Sequence, residues 1–426
     1  MVRVNDSVFS VDVLVVGAGP AGSTAAINAA QRGSTVLLID AATFPRDKTC
    51  GDGLTPRAVH QLEKIGIDVT SRYSSKGLKL HGFGGSVTAP WPTSSFGTIG
   101  SAMPRTEFDK LLLNTAQQHK NVLVWQGATA VSVDADPHTS QPPSATPKAG
   151  RIRTVTVDDG RVIAPAYVIV ADGVRSTFGK LLGRQWHRGE VYGIAARSYC
   201  ETPRADDPWI HSHLEFRDDT GTTQPGYGWI FPLGNGTANV GCGALSTDTR
   251  PAKVNTKKLL RSYAEQHSEE WGFGTPQRVA SALLPMGGAV SNVAGPNWML
   301  IGDAAACVNP LNGEGIDYGM ETAALAVSLL GTDKDLSHAW PELLRSTYGE
   351  AFMLARTAAR LLTYPQFLPI AGPLALRKPL GNAIMPAAAR LMGNLVSDSD
   401  RDLVARLWRC AGVGVSRWRR DSPLWS

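Results

Sequence analysis

Six residues, Gly17-Ala18-Gly19-Pro20-Ala21-Gly22, have the types and spacing to hold a pyrophosphate. Gly17 allows a tight turn, Gly19 lets the backbone approach the phosphates, and Gly22 lets the following helix pack closely on the preceding strand. The surrounding sequence supplies the elements that such a turn needs. The apolar run Val11 to Val16 reads as a buried parallel strand, and the small-residue stretch Ser23 to Ala30 reads as a helix. A second strand, Thr35 to Ile39, ends in the acid Asp40. The helix N-terminus offers free N–H groups and a partial positive charge to an anion. Asp40 would accept hydrogen bonds from a ribose hydroxyl and repel a 2′-phosphate, which favours FAD or NAD over NADP.

Two further segments choose FAD. Val168-Ile169-Val170-Ala171-Asp172-Gly173 is a strand running into a turn before a polar helix start. Trp298 to Ala305 is a strand ending in Gly302-Asp303, followed by Asn309-Pro310-Leu311-Asn312-Gly313-Glu314-Gly315-Ile316 and an apolar helix from about Asp317 to Leu330. On their own residues, Asp303 would also serve as a helix N-cap and Asp172 as a turn aspartate. Taken in order, these segments resemble the FAD-dependent oxidoreductases that include the aromatic hydroxylases and the geranylgeranyl reductases. The resemblance spans about residues 10–330. It implies a carboxylate of Asp303 on the flavin ribityl chain and a helix beginning near Ile316 aimed at the pyrimidine edge of the ring. It also implies a Gly313–Gly315 turn where side chains would collide with the ring, and Arg105 beside the FAD phosphates and ribose.

Two signatures select the branch. Pro45-Arg46-Asp47-Lys48-Thr49-Cys50-Gly51-Asp52-Gly53 resembles the Pro…Cys-Gly segment of geranylgeranyl reductases, whose cysteine sits near the flavin. Tyr227-Gly228-Trp229-Ile230-Phe231-Pro232, followed by Gly241-Cys242-Gly243, resembles the Tyr-x-Trp-x-Phe-Pro and Gly-x-Gly elements of the same group. Alternation puts Tyr227, Trp229 and Phe231 on one strand face, either as ordinary core or as an aromatic wall for an apolar chain. Flavin halogenases carry a Trp-x-Trp-x-Ile-Pro element, from which Tyr227 and Phe231 depart. The implied reaction saturates a carbon–carbon double bond in a polyprenyl chain, and the chain resembles most the actinobacterial branch acting on one isoprene unit of menaquinone. Cys50 is the first candidate at the reacting face, as a proton donor, a pocket wall or a small buried apolar residue; Tyr227 is the second. Other geranylgeranyl-lipid substrates, aromatic monooxygenation by the same cofactor, and a non-enzymatic prenyl carrier are the alternatives. No second glycine fingerprint for a nicotinamide is present, so a ferredoxin, a membrane quinol or transient nicotinamide binding would bring the electrons.

These motifs call for an α/β fold: a Rossmann-like FAD-binding domain, an interleaved β-rich substrate domain and a helical C-terminal region. The expected pieces are 1–75, 101–190 and 281–330 for FAD, 76–100 and 191–280 for substrate, and 331–426 for the C-terminal region. At 426 residues and 43% hydrophobic content the chain can bury a large core. Cysteines 50, 200, 242, 307 and 410 form no metal-ligand spacing and fit reduced thiols. Residues 135–150, with four prolines, read as a mobile hairpin tip. No signal peptide or membrane span is expected. The stretch Leu361 to Leu376 is uncharged but short, and Pro365, Pro369 and Pro373 would break it. From Arg377 onward nine cations face four acids, a net +5 that equals the charge of the whole chain. With Trp408 and Trp418 among them, this region reads as a peripheral contact with anionic lipid on the cytoplasmic face, or as a helical cap with solvated cations. No nucleic-acid motif accompanies the charge.

Overall fold

In the computed structural model, residues 3–5, 8–137, 148–217, 221–252, 254–332, 334–364, 366–397, 400, 402–419 and 422–426 are described. The expected hairpin tip lies largely outside them; on either side, Ala130–Pro137 and Ala149–Val157 pair antiparallel.

The first layer is a mainly parallel sheet. Its central order is Ala294–Gly295, Trp298–Leu300, Val162–Val170, Val8–Val16, Val36–Asp40, Val122–Gln126. Val13 to Val16 and Val36 to Ile39 are all buried, because helices cover both faces of a parallel sheet. Each such side chain contributes about 1.5–3 kcal/mol of burial. The helix Pro20–Gln31 starts with proline, whose missing N–H has no helical partner at that position. Its small residues let it pack against the helix Ile316–Ser328, and a Cβ at Gly319 would already touch Ala21.

The second layer is a seven-stranded sheet in the order Gln277–Pro285, Tyr192–Glu201, Thr237–Ser246, Gly226–Pro232, Trp209–His213, Gly77–Gly82, Gly85–Pro90. The strand Gln277–Pro285 crosses the expected boundary at residue 281: it pairs along Tyr192–Glu201 and belongs to this sheet. Phe83, with φ 52°, and Gly84 make the tight turn between Gly77–Gly82 and Gly85–Pro90.

Helices Leu336–Leu362, Phe367–Leu376, Leu380–Met392 and Leu403–Trp418 form the C-terminal region. Pro369 and Pro373 do not prevent the second of these. Pro369 occupies the first turn, where its absent N–H costs nothing, and only Pro373 removes an interior hydrogen bond. No helix among the described residues is long and apolar enough to cross a membrane.

Candidate active site

A cavity of about 810 Å³ runs between the two sheets and ends among the C-terminal helices. One end is polar and is built by the glycine turn. Gly17 has φ 102°, and a Cβ there would lie 2.4 Å from the carbonyl oxygen of Ala171; at Gly22 it would lie 1.7 Å from that of Gly17. Gly19, by contrast, looks into the cavity, where the nearest groups are the guanidinium ends of Arg46, 3.4 Å, and Arg105, 3.9 Å, from a Cβ built there. The carboxylate of Asp109 holds both arginines: Arg105 donates to it at 2.6 and 2.8 Å, and Arg46 lies 3.0 Å away. Two fixed cations beside a glycine turn and a helix N-terminus fit a pyrophosphate. Arg105 was expected there; Arg46 was not singled out, although it stands in the Pro…Cys-Gly segment.

Asp40 accepts from the backbone N–H of Ala18 at 2.7 Å and of Ala42 at 2.8 Å, so its position is set before any ribose arrives. Asp172 accepts from the hydroxyl of Ser176 at 2.6 Å and the N–H of Phe178 at 2.8 Å. It thus fills the turn role while also lining the cavity. Asp303 meets Lys48 at 3.1 Å on the cavity wall. Gly302, φ 55°, donates its N–H to Thr322 and brings that loop against Ala21. Pro20, Ala21, Gly313, Gly315 and Ile316 also line the cavity. A Cβ on Gly313 would meet nothing within 4 Å, and Gly315 precedes Ile316, the first residue of the helix Ile316–Ser328. The open side at Gly313 and the helix N-terminus beside it fit a flat ring with a developing negative charge.

The middle of the cavity joins the two branch signatures. In the strand register Trp229 stands opposite Gly241, and Tyr227 opposite Gly243. A Cβ on Gly241 would lie 2.1 Å from the indole of Trp229, so the Gly-x-Gly element exists to seat that ring. Gly241 was expected in the pocket wall; it lies beneath Trp229 instead, while Gly243 reaches the cavity. Phe231 plays the same part toward the cysteine loop: a Cβ at Gly51 would lie 2.9 Å from its ring, and one at Gly53 3.1 Å. Asn239 closes the assembly. It accepts from the Trp229 indole N–H at 2.9 Å and donates to the Cys50 carbonyl at 2.8 Å and to Asp52 at 2.9 Å. Arg197, fully buried, ion-pairs with Asp47 and donates to the carbonyl of Lys48 at 3.0 Å. Neither Asn239 nor Arg197 carries a motif signal, because each acts through folded neighbours far away in the chain.

Cys50 is half-buried on the cavity wall. Burial pushes its thiol up, Asp52 and Glu314 add to this, and Arg105 opposes it, so the sulfur carries its proton at neutral pH. Tyr227 also lines the cavity, but its hydroxyl donates to the carbonyl of Asn312 at 2.6 Å. Its geometry ties the strand to the Gly313 loop rather than offering a proton to the cavity. Burial and the neighbouring Asp317 push Glu314 well above the usual carboxylate range.

The far end is apolar. Leu361, Phe367, Leu368, Met385, Leu391 and Trp408 line it, all from the C-terminal helices. The region expected only as a lipid-facing tail or cap therefore forms part of the cavity wall. Several of its cations are structural: Arg390 pairs with Asp400 and Asp402, Arg419 with Glu190, and Arg409 donates to two backbone carbonyls. Arg401 and Arg420 lie outside the described residues.

Comparison with known proteins agrees with this geometry. Residues 10–357 match the FAD binding domain family. The chain is 52% identical over 418 residues to a menaquinone reductase of Mycolicibacterium smegmatis, covering 97% of this chain and 98% of that one. It is 27% identical to digeranylgeranylglycerophospholipid reductase 1 of Methanopyrus kandleri, covering 82% and 90%. The crystal structure of a geranylgeranyl bacteriochlorophyll reductase-like protein from Thermoplasma acidophilum superposes with a TM-score of 0.72 at 21% identity, covering 97% and 99%. The chain belongs to the FAD binding domain family and, within it, to the geranylgeranyl reductase group of FAD-dependent oxidoreductases that includes the menaquinone reductases.

Proposed function

We propose that this flavoenzyme saturates one isoprene double bond in the side chain of menaquinone. The observation that carries the reading is the continuity of the cavity from the pyrophosphate cradle, past Cys50 and Trp229, to an apolar end among the C-terminal helices. The 52% identity to a menaquinone reductase supports the choice of chain. FAD, held at Gly17–Gly22, Asp40, Arg46, Arg105, Asp303 and the Gly313–Ile316 turn, supplies a hydride equivalent when reduced. An isolated alkene is weakly polarised, so the protein contributes mainly by positioning. Trp229 and Phe231 hold the alkene segment, the apolar end holds the rest of the chain, and Cys50 presents a proton.

We also propose the division of the chain. The parallel sheet and its helices bind FAD, the seven-stranded sheet including Gln277–Pro285 covers the substrate, and the C-terminal helices form the entrance. The outer face of those helices suits a membrane surface. Ile370, Leu403 and Trp418 are 68%, 72% and 77% exposed, and Lys378, Arg406 and Arg417 are exposed among them. Binding to phosphatidylglycerol vesicles but not to phosphatidylcholine vesicles, weakened by Trp418→Ala, is the expected result.

The reaction is tested by mass spectrometry of menaquinone after anaerobic incubation with chemically reduced protein. A gain of two hydrogens, placed in the prenyl tail by fragmentation, is expected. A gain with geranylgeranyl lipids but not with menaquinone would move the substrate, and no gain with any prenyl chain would overturn the reading.

A further inference from the structure

The tip of the hairpin formed by Gly77–Gly82 and Gly85–Pro90 carries a residue that its turn disfavours. Both central positions have positive φ, 52° at Phe83 and 71° at Gly84. Such a two-residue turn suits Asn-Gly or Asp-Gly, because a bulky side chain is strained in the left-handed region. Phe83 is nevertheless held there on several sides. Its N–H donates to the Glu215 carboxylate at 2.5 Å, and its carbonyl accepts from the Arg377 guanidinium at 2.8 Å. A Cβ at Gly85 would lie 2.3 Å from the carbonyl oxygen of Leu376, and one at Gly372 would lie 2.3 Å from the Phe83 ring. The ring is therefore seated on the backbone of the helix Phe367–Leu376. It is 8% exposed and lines the cavity, as do Gly372 and Leu376. Sealing the hairpin to the helices does not require this ring. Leu80 and Val87 pair across the same hairpin within its strands and share one apolar core with Leu376 and Met385, behind the cavity wall. A strained turn that its surroundings over-determine points to a use for the side chain it aims.

We propose that Phe83 is a specificity-determining residue: its ring fixes the course of the prenyl chain through the apolar end and so selects which isoprene unit meets the flavin. The inference rests on the reading of the cavity as the prenyl site. A prenyl chain presents a row of chemically alike double bonds, so hydrogen bonds and charges cannot tell one from the next. Selection has to come from where the walls let the chain lie. Most of the apolar end cannot impose that. Met385 is flexible and adapts to the shape beside it, and Leu368 is only partly buried against the core. The Phe83 ring differs, because its backbone is tied at the N–H and the carbonyl and its face is stopped by Gly372. The two ties also come from different walls. Glu215 follows the strand Trp209–His213 of the seven-stranded sheet, and Arg377 follows the helix Phe367–Leu376. The ring therefore stands where sheet and helices meet, at a position set by both.

The test uses FAD-loaded, chemically reduced enzyme with menaquinone, and locates the saturated unit by fragmentation mass spectrometry. Wild type is expected to saturate a single unit. Phe83→Gly suits the turn and removes the ring, so saturation should spread to a neighbouring unit, with product at that second position rising about tenfold or more. Phe83→Leu keeps an apolar side chain of shorter reach and should give part of the same shift. Leu80→Ala is the control: it loosens the same core without touching the cavity wall, so it should lower the unfolding temperature and leave the position of saturation unchanged. An unmoved position in both Phe83 variants would overturn the proposal, as would the same redistribution in Leu80→Ala. If Phe83→Gly does not fold, Phe83→Leu decides alone. Failure of the prenyl reading would appear separately, as no saturation of any prenyl chain by wild type, and would overturn this inference with it.

Discussion

The two ends of the cavity are built on opposite terms. At the FAD end, backbone atoms approach one another so closely that side chains are excluded: Gly17, Gly22 and Gly302 each face another main chain or a neighbouring Cβ. At the apolar end, the wall is made of Leu361, Phe367, Met385, Leu391 and Trp408, which need only be apolar and of suitable volume. The first end specifies a ligand atom by atom, whereas the second specifies a length and a shape. Substitutions should therefore act abruptly at one end and gradually at the other.

The largest effect is expected at Gly22. A Val there places a Cβ within 1.7 Å of a carbonyl oxygen, and overpacking of this kind costs about 1–3 kcal/mol or more. Gly22→Val should yield protein without bound flavin, read as the ratio of flavin to protein absorbance. Asp303→Ala removes a charge that is ion-paired with Lys48 on the cavity wall, so it should lower FAD retention while the thermal unfolding of the apoprotein changes little.

A smaller effect marks the middle of the cavity. Gly241→Ala drives a methyl group into the indole of Trp229, whereas Gly243→Ala meets its nearest neighbours at 3.5 Å. Turnover should fall about tenfold or more in the first and little in the second, with FAD content equal in both. Equal loss in the two variants would break the account of the Gly-x-Gly element as a seat for Trp229.

The smallest effect lies in the outer part of the seven-stranded sheet. His81 stacks on His211 and His213, and His213 lies against His267. Burial lowers His211 to about 4, against the opposing pull of the Asp207 carboxylate, and burial with the neighbouring histidines lowers His213 to about 2. The unfolded chain binds these protons near pH 6.5 and the folded chain does not, so their contribution is intact above that pH and is lost as pH falls below it. Thermal melts should show a midpoint several degrees lower at pH 5 than at pH 7.5, a difference that His213→Gln should reduce.

The same contrast explains what could be read before the fold was known. Gly17, Gly19, Gly22, Asp40 and Gly302-Asp303 were legible because tight turns and carboxylates at strand ends leave few residue choices and fixed local spacing. The aromatic strand was legible as a face, but its glycine partner was misplaced: the pairing of Trp229 with Gly241 depends on strand register, which alternation alone does not set. Asn239 and Arg197 were invisible, since each joins segments nearly two hundred or about one hundred and fifty residues apart. The C-terminal helices were read from their charge, and charge describes the outside of a helix. Their inner face, which lines the apolar end of the cavity, carries leucine, methionine and alanine beside Phe367 and Trp408, and none of these forms a motif. Trp425, fully buried and donating its indole N–H to Ala305 at 2.7 Å, likewise gave no sign that it packs behind the Asp303 loop.

The central claim is that one cavity carries both the flavin and the prenyl chain. The most direct test is a chain-length series on Ala388→Trp, which fills the apolar end at a residue on its wall while leaving every FAD-facing group in place. For menaquinones of increasing prenyl length, the account predicts wild-type FAD content, near-wild-type saturation of the shortest chain, and a KM that rises about tenfold or more for the longest. Saturation of long chains at the wild-type rate would contradict it, and would place the prenyl chain outside this cavity.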